Sequence, residues 1–235
     1  VTATTGTLKI DNVTFENNKF DEVKTGEQKH NGARGIIRAA GANLEVAKST
    51  FAGNEAVLGV WLNGENTVKI TDSTFTGNAT KSQGGALQLA GAGETTITNT
   101  TFSENAAGTF GGAINAMNTQ VVAKNVNFEG NKAVGDDGHG GALFLNGNTA
   151  SYTQAGGKFV GNSAKKNGGA ICVRDGADLA LTNVVFDGNT VANGGAVDTF
   201  NAGDVKFTDT TFTNNQAGGW GGALRINGGN VTIAV

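Results

Sequence analysis

Short runs of alternating apolar and polar residues recur along the whole chain. In one stretch, Val68 and Ile70 alternate with polar residues, Phe75 lies between two threonines, and Leu87 begins a third alternating run. A period of two is the side-chain period of a β-strand. Gly and Asn stand between the runs and favour turns. The pattern predicts circuits of three short strands, and no segment has the 3.6-residue apolar stripe of a helix.

Two motifs repeat at intervals of 24 to 36 residues. Phe-x-x-Asn occurs at Phe15/Asn18, Phe51/Asn54, Phe75/Asn78, Phe102/Asn105, Phe128/Asn131, Phe159/Asn162, Phe186/Asn189 and Phe212/Asn215. Gly-Gly-Ala with a following aliphatic residue occurs at Gly84-Gly85, Gly111-Gly112, Gly140-Gly141, Gly168-Gly169, Gly194-Gly195 and Gly221-Gly222. A fixed period of this size indicates stacked repeats. We predict an all-β fold, a single-stranded parallel β-helix of about eight coils, forming one domain over residues 1–235.

The repeat also predicts which side chains fill the interior. Seven residues before each Phe stand Leu8, Leu44, Val68, Thr95, Val121, Tyr152, Leu179 and Val205. Five before it stand Ile10, Val46, Ile70, Ile97, Ala123, Gln154, Leu181 and Phe207. After Gly-Gly-Ala, or its degenerate copies, we expect the inward residues Ile37, Trp61, Leu87, Ile114, Leu143, Ile171, Val197 and Leu224. Coils about 4.8 Å apart would turn each set into a ladder, and the motif Asn residues would hydrogen-bond from turn to turn.

One circuit departs from the pattern. Tyr152 and Gln154 replace aliphatic residues, and Gly156-Gly157 follows them. We expect an added residue here and therefore a bulge or bend.

Composition excludes some classes of protein. Among 235 residues there are 38 Gly and no Pro, but the regular apolar positions argue against a disordered linker. A net charge of −3 gives no footprint for nucleic-acid binding. One cysteine, Cys172, cannot form an internal disulfide, and no apolar run is long enough for a membrane helix. Because the chain starts and stops within the repeat pattern, we expect it to be a piece of a longer protein.

The two interleaved motifs resemble the passenger region of the chlamydial polymorphic membrane proteins and similar autotransporters, over essentially the whole chain. The resemblance implies a right-handed β-helix, displayed on the bacterial surface or secreted, that acts in adhesion to host cells. In that family a membrane β-barrel follows the passenger. We therefore expect membrane attachment only through a C-terminal barrel beyond this chain.

The most enzyme-like segment is Asp136-Asp137-Gly138-His139-Gly140. It partly resembles polygalacturonases, which share the β-helix architecture. Here the groups share one loop with no flanking column of acidic residues, so we interpret it as a solvated variable loop. The oxygen ligands at Asp175 and Asp178 are too few for calcium, and the two histidines are too far apart in sequence for zinc. We predict no catalytic residue, no metal and no cofactor.

Outward positions are where a partner would bind. The column that follows the inward residues after Gly-Gly-Ala reads Arg38, Leu62, Gln88, Asn115, Phe144, Cys172, Asp198 and Arg225. We expect it to be a mixed, shallow face in which Cys172 is an inert thiol and Asp198 and Arg225 form an exposed pair. Two aromatic residues before Gly-Gly, Phe110 and Trp220, are expected to fold back over the neighbouring coil.

A charged insertion at residues 20–33 is a further candidate binding loop. The candidate partner-binding residues are therefore Lys24, Glu27, Lys29, His30, Asp136, Asp137, His139 and Phe144. The hypothesis is an adhesin passenger that binds a host-cell surface protein or glycan and also has the potential to self-associate. The alternatives are a polysaccharide-processing β-helix enzyme and a structural or self-associating spacer.

Overall fold

The computed structural model describes residues 1–19, 36–55, 58–61, 66–91 and 93–235, with only the backbone described at 58–61. These residues form parallel strands that wind into stacked coils, which confirms the predicted β-helix. No helix capable of crossing a membrane occurs among them.

Three sheets run along the stack. The first contains Thr7–Asp11, Thr14–Glu16, Asn43–Ala47, Thr50–Ala52, Val68–Thr71, Thr74–Thr76, Glu94–Thr98, Thr101–Ser103, Gln120–Glu129, Ser151–Val160, Asp178–Thr182, Val185–Asp187, Asp204–Thr208, Thr211–Thr213 and Asn230–Ala234. The second contains Ala79–Thr80, Ala106–Ala107, Lys132–Ala133, Ser163–Asn167, Thr190–Asn193 and Gln216–Ala217. The third contains Thr2–Ala3, Ile37–Ala40, Leu58–Trp61, Leu87–Ala90, Ile114–Met117, Leu143–Asn146, Ile171–Arg174, Val197–Phe200 and Leu224–Asn227.

The first sheet has the two predicted interior columns in register. Val68 pairs with Leu44 and Thr95, and Ile70 pairs with Val46 and Ile97. Most members of both columns are fully buried. Parallel pairing in register places like residues above one another, so the interior is a set of apolar ladders.

The third sheet corrects one predicted register. Leu58, not Trp61, pairs with Ile37 and Leu87, while Trp61 pairs with Ala90. The same shift puts Gly59 beside Gln88 at the position predicted for Leu62, which itself lies outside the described residues. The Leu58-Gly59-Val60-Trp61 copy has no Gly-Gly before it, so the sequence offered no anchor for its alignment.

The expected bulge at Gly156-Gly157 was also wrong. Residues 151–160 pair with 120–129 at a constant offset, so no residue is added. Gly156 and Asn125 occupy the same corner with φ of 70° and 51°, where a residue that tolerates the left-handed region is needed. The irregular register instead lies between Ala164 and Asn167, in the second sheet.

Tyr152 and Gln154 replace aliphatic residues without leaving unpaired polar groups. The Tyr152 hydroxyl donates to Gln154 Oε1 at 2.5 Å, and Gln154 Nε2 donates to the carbonyls of Val126 and Gly156 at 2.9 and 2.8 Å. Because a buried polar group is costly only when it is unpaired, this pair fits inside the stack.

The motif phenylalanines form one continuous stack. Successive rings from Phe15 to Phe212 are 4.6 to 5.2 Å apart between centroids, with interplanar angles of 4° to 12°. This spacing equals the separation of coils in a parallel sheet. The rings therefore pack face against face as a direct consequence of the coil repeat.

The motif asparagines form a hydrogen-bonded ladder beside that stack. Asn131 Oδ1 accepts from the backbone N and Nδ2 of Asn105 at 3.0 and 2.9 Å. Asn131 Nδ2 donates to Asn162 Oδ1 and to the Phe102 carbonyl, both at 2.9 Å. The same pattern repeats from Asn54 to Asn189, whose side chains are buried. Each asparagine thus joins three successive coils.

The first motif asparagine, Asn18, joins the ladder on one side only. Asn18 is exposed, whereas the ladder members from Asn54 to Asn189 are buried. Its backbone N and Nδ2 donate to Asn54 Oδ1 at 3.0 and 2.9 Å, so it joins the ladder on one side. Among the described residues no coil lies on its other side to cover it. The repeat in the sequence marks the ladder position but does not show which copy stands at an end of the stack.

The two glycines of Gly-Gly-Ala are needed for different reasons. Gly111 has φ of 62°, a conformation that costs little only without a Cβ. Gly112 lies so close to the next coil that an added Cβ would be 2.0 Å from the Gly141 carbonyl oxygen. Together they let the chain turn tightly into the third sheet.

We expect Asn131→Ala to lower the free energy of unfolding by about 3–5 kcal/mol, because it leaves the Asn105 N–H and the Phe102 carbonyl buried without partners. Urea denaturation followed by circular dichroism measures this. The control is Asn148→Ala at an exposed corner, which should change stability by at most about 0.5 kcal/mol. Equal effects of the two substitutions would contradict the ladder's role.

Candidate functional site

The third sheet presents two columns of side chains to the outside of the coil. The first is the column predicted from the sequence, which pairs as Gln88, Asn115, Phe144, Cys172, Asp198 and Arg225. The second stands two residues later in each strand and reads Ala90, Met117, Asn146, Arg174, Phe200 and Asn227. Side chains from both columns line a cleft of about 620 Å³.

The first column is the covered floor of this cleft, not the exposed shallow face that the sequence predicted. Asn115, Cys172 and Asp198 are fully buried, and Phe144 is 5% exposed. Part of the covering comes from Gln83, Phe110 and His139, each of which precedes a Gly-Gly pair and contacts a residue of this column. Two layers of side chains are therefore buried here, one inside the coil and one outside it.

The wall of the cleft is built from Gln83, Phe110, His139 and Asn167. Phe110 stacks on Phe144 with centroids 4.6 Å apart, so it folds back over the neighbouring coil as expected. Gln83 Oε1 accepts from Asn115 Nδ2 at 2.9 Å. Phe110 and Gln83 thus each hold a floor residue of the following coil.

Trp220 does not behave as Phe110 does. Its side chain is 73% exposed, and its ring lies 5.8 Å from the Arg225 guanidinium. The expectation that it folds back over a neighbouring coil was wrong. Its described contact is with a cation at the edge of the cleft.

Two arginines and one carboxylate form the centre of the cleft. Arg225 Nε lies 3.1 Å from Asp198 Oδ1, so the predicted pair exists but is buried rather than exposed. Neither Asp198 oxygen accepts a well-aligned hydrogen bond from the described residues. Burial raises the pKa of Asp198 to about 6, against the opposing effect of Arg225 and Arg174.

Arg174 is held by neutral groups. Its Nε donates to Cys172 Sγ at 3.4 Å, and its guanidinium lies 5.5 Å from the centre of the Phe200 ring. With the Asn167 amide oxygen turned toward it, Nη2 donates to that oxygen at 2.9 Å; in the opposite orientation the amide oxygen accepts from Arg225 Nη1 at 3.3 Å. No carboxylate of a described residue forms an ion pair with Arg174.

His139 belongs to the wall and not to a solvated loop. It is 3% exposed, and its backbone bridges to Phe110 and Asn167 in adjacent coils. Nε2 lies 3.3 Å from Asp137 Oδ1, and Nδ1 lies 3.3 Å from Arg174 Nη2. Burial, with Arg174 nearby, lowers the pKa of His139 to about 4, so the ring is neutral at pH 7.

Asp137 stands at the rim beside His139. Lys166 Nζ donates to its Oδ1 at 2.7 Å, and this bond is the main reason that the pKa of Asp137 is lowered. Asp175 and Asp198 line the same cleft or its floor. Stacking thus brings carboxylates that are far apart in sequence to one cleft.

Cys172 lies in the floor under Arg174. Burial raises the pKa of its thiol to about 12, so the thiol is protonated at neutral pH. A thiolate is the reactive form of cysteine. The structure thus agrees with the prediction of an inert thiol, although the side chain is fully covered instead of facing solvent.

One further described candidate, Asp136, lies outside the cleft. Lys24, Glu27, Lys29 and His30 lie outside the described residues. Within the described residues, no group of three or more His, Cys, Asp or Glu side chains is arranged to hold a metal ion.

Sequence reasoning missed the second outward column, and with it Arg174, Phe200 and Asn146. The signal was available, because a residue two positions after an outward residue also faces outward in a strand. It also missed Lys166 and Asn167, which end the strand Ser163–Asn167 of the second sheet, where the register with the next strand shifts after Ala164. That shift has no signal in the repeat.

Opposite pH effects are expected from His139 and Asp198. His139 has a pKa of about 4 against an ordinary 6.5, so its contribution to stability increases as pH rises through this range. Asp198 has a pKa of about 6 against 3.8, so its contribution decreases as pH rises from 4 to 6. The comparison is the unfolding free energy of each variant minus that of the parent chain. From pH 4 to pH 7 this difference should fall by about 1–3 kcal/mol for His139→Gln and rise by about as much for Asp198→Asn.

Urea denaturation at pH 4, 5, 6 and 7 measures both slopes. Gln120→Ala is the control, since Gln120 is an exposed, uncharged residue of the first sheet away from the cleft, and it should follow the parent chain. If the variants at residues 139 and 198 also follow the parent chain, the assigned burial of these groups is wrong.

Two models of known protein families match parts of the chain. The model of the right handed beta helix region matches residues 3–178. The model of the Chlamydia polymorphic membrane protein repeat matches residues 209–227, which contain Phe212, Asn215 and Gly221-Gly222. No curated protein and no solved structure matches the chain.

The repeat match confirms the resemblance to chlamydial polymorphic membrane proteins and implies a surface or outer-membrane association. Together with the stacked coils, it indicates a surface protein of the autotransporter-passenger type. The chain belongs to the right-handed β-helix family and carries the repeat of the chlamydial polymorphic membrane proteins.

Proposed function

We propose that this chain is the ligand-binding part of a surface adhesin, and that the cleft on the third sheet attaches to a molecule on the host-cell surface. A rod of stacked coils holds its outward side chains at fixed spacing without using them for folding. Attachment needs a preformed surface of this kind, since ordering a flexible one on binding would cost affinity.

The observation that carries the proposal is the composition of the cleft. Its lining combines outward positions of the third sheet with residues that precede the Gly-Gly pairs, and the Phe-x-x-Asn and Gly-Gly-Ala motifs constrain neither set. At these positions stand aromatic, cationic and amide side chains such as Phe200, Arg174 and Asn146. Aromatic and arginine side chains are the types that most often anchor interfaces.

Of the candidates predicted from sequence, Asp137, His139 and Phe144 line the cleft. The charged segment at residues 20–33 remains a prediction, and the proposal does not depend on it. A spacer that only self-associates would not need a cleft of about 620 Å³, which is within the range of about 300–1,000 Å³ common for ligand sites.

Polysaccharide cleavage is the second candidate, and one observation favours it. The centre of the cleft contains one carboxylate with a raised pKa, Asp198, and its rim contains one with a lowered pKa, Asp137. Such a split is the pattern of a general acid and its partner. However, Asp198 is fully buried beneath the wall and Asp137 is bound by Lys166, so the arrangement supports binding better than catalysis.

Blocking the cleft tests the adhesin proposal without assuming the ligand's chemistry. We expect the purified chain, coated on beads, to bind cultured epithelial cells. Asn146→Cys labelled with a bulky maleimide should reduce that binding at least tenfold. The native Cys172 will not interfere, because it is buried and protonated.

The matched control is Thr153→Cys with the same label, on an exposed position of the first sheet. It should bind cells as the parent chain does. Equal binding by both labelled proteins would show that the cleft is not the attachment surface, and release of reducing ends from acidic polysaccharides, lost in Asp137→Asn, would favour the enzyme.

A further inference from the structure

The guanidinium of Arg174 is the most distinctive group in the cleft. It is partly buried, yet its described partners are all neutral: the Cys172 thiol, the Asn167 amide, the His139 ring and the face of Phe200. Two arginines at the centre share one carboxylate, Asp198, with which Arg225 forms the ion pair. At the rim, Lys166 is matched by Asp137. A third carboxylate of the cleft, Asp175, accepts a hydrogen bond from Asn146. Among the described cations of the cleft, Arg174 is therefore the one that forms no ion pair with a carboxylate.

A cation held in this way matches a single negative charge on a ligand. Guanidinium groups bind carboxylates through two parallel hydrogen bonds. A ligand carboxylate could bind Arg174 without displacing an ion-pair partner. A dianionic phosphate fits less well, because the Asp198 carboxylate is close by and repels additional negative charge.

Aromatic surface lies next to this charge. Phe200 is 38% exposed and supports the Arg174 guanidinium on its ring. Phe110 and Phe144 stack on each other and also line this cleft. Flat apolar faces beside a polar group suit an amphipathic ring that has an apolar side and polar edges.

Amide groups complete the lining. Asn146, Asn167 and Gln83 each offer both a donor and an acceptor at the cleft. Asn146 is oriented by Asp175, whose Oδ2 accepts from its Nδ2 at 2.7 Å. Amides placed around an aromatic surface can bind hydroxyl groups, which both donate and accept.

We propose that the cleft binds a carboxylate-bearing saccharide, with the carboxylate on Arg174, a sugar ring against Phe200 and hydroxyl groups on Asn146 and Asn167. This inference rests on the proposed function, since it names the chemistry of the attached molecule. An acidic peptide would supply the carboxylate but would not use the aromatic and amide groups together in this way.

Isothermal titration of the 235-residue chain tests it. The probes are 3′-sialyllactose and a hyaluronan tetrasaccharide, which carry carboxylates. Lactose and chitotetraose are their neutral counterparts, and tetraglutamate is the peptide probe. We expect binding to at least one carboxylated saccharide and at least tenfold weaker binding to its neutral counterpart and to tetraglutamate.

Three variants connect that binding to the cleft. Arg174→Gln should weaken it about 10- to 100-fold, the usual effect of losing a charged hydrogen-bond partner. Phe200→Leu should weaken it by a few fold, through loss of the aromatic face. Asp198→Asn should strengthen it, because the carboxylate that competes for the guanidinium groups is removed. Arg38→Gln, on the same sheet but outside the cleft, should have no effect.

The outcomes separate this inference from the proposed function. If labelling at residue 146 blocks cell binding but neither carboxylated saccharide binds, the saccharide inference is wrong and the adhesin proposal stands. Binding of tetraglutamate alone, or saccharide binding that Arg174→Gln leaves unchanged, also overturns it. Circular dichroism of each variant ensures that a loss of binding is not a loss of fold.

Discussion

The stacking of buried asparagine side chains is the interaction on which the rest of the structure depends. A β-helix corner must leave its backbone N–H and C=O groups inside the coil, where water cannot reach them. Each buried motif asparagine accepts from the backbone and side chain of one neighbour and donates to the next asparagine and to a phenylalanine carbonyl. Unpaired groups at these positions would each cost about 1–3 kcal/mol. The ladder satisfies them and fixes the register of every coil at once.

The cleft follows from that register. Because coils stack without slipping, an outward residue on one coil lies directly above its equivalent on the next, so groups far apart in sequence become neighbours. Asp137, Arg174 and Arg225 meet in this way along one face of the stack. Because the interior ladders maintain the register of the coils, the outward positions are available for other chemistry, including charges and polar groups that a conventional core would exclude. The buried pair of Asp198 and Arg225 is one result.

Periodicity made the scaffold predictable, and its absence made the site hard to predict. The strands, the interior columns and the asparagine ladder all follow from motifs that recur along the chain. Where the motif is degenerate, as at Leu58-Gly59-Val60-Trp61, the register was misjudged. At Gly156-Gly157 the repeat is intact, and the expected added residue was wrong. Gly156 takes the corner position that Asn125 holds in the preceding coil, and both have a positive φ. The burial of His139 and Asp198 depends on loops that fold over the sheet, and no period in the sequence records how they fold.

The side-chain ladder holds the coils together as one cooperative unit. Native-state hydrogen exchange tests it most directly, because the backbone N–H groups of Asn78, Asn105 and Asn162 donate to ladder side chains. We expect these amide hydrogens to exchange only through global unfolding, with the same dependence on denaturant concentration as unfolding of the whole chain. Exchange by local opening, faster than that of the flanking strands, would contradict it.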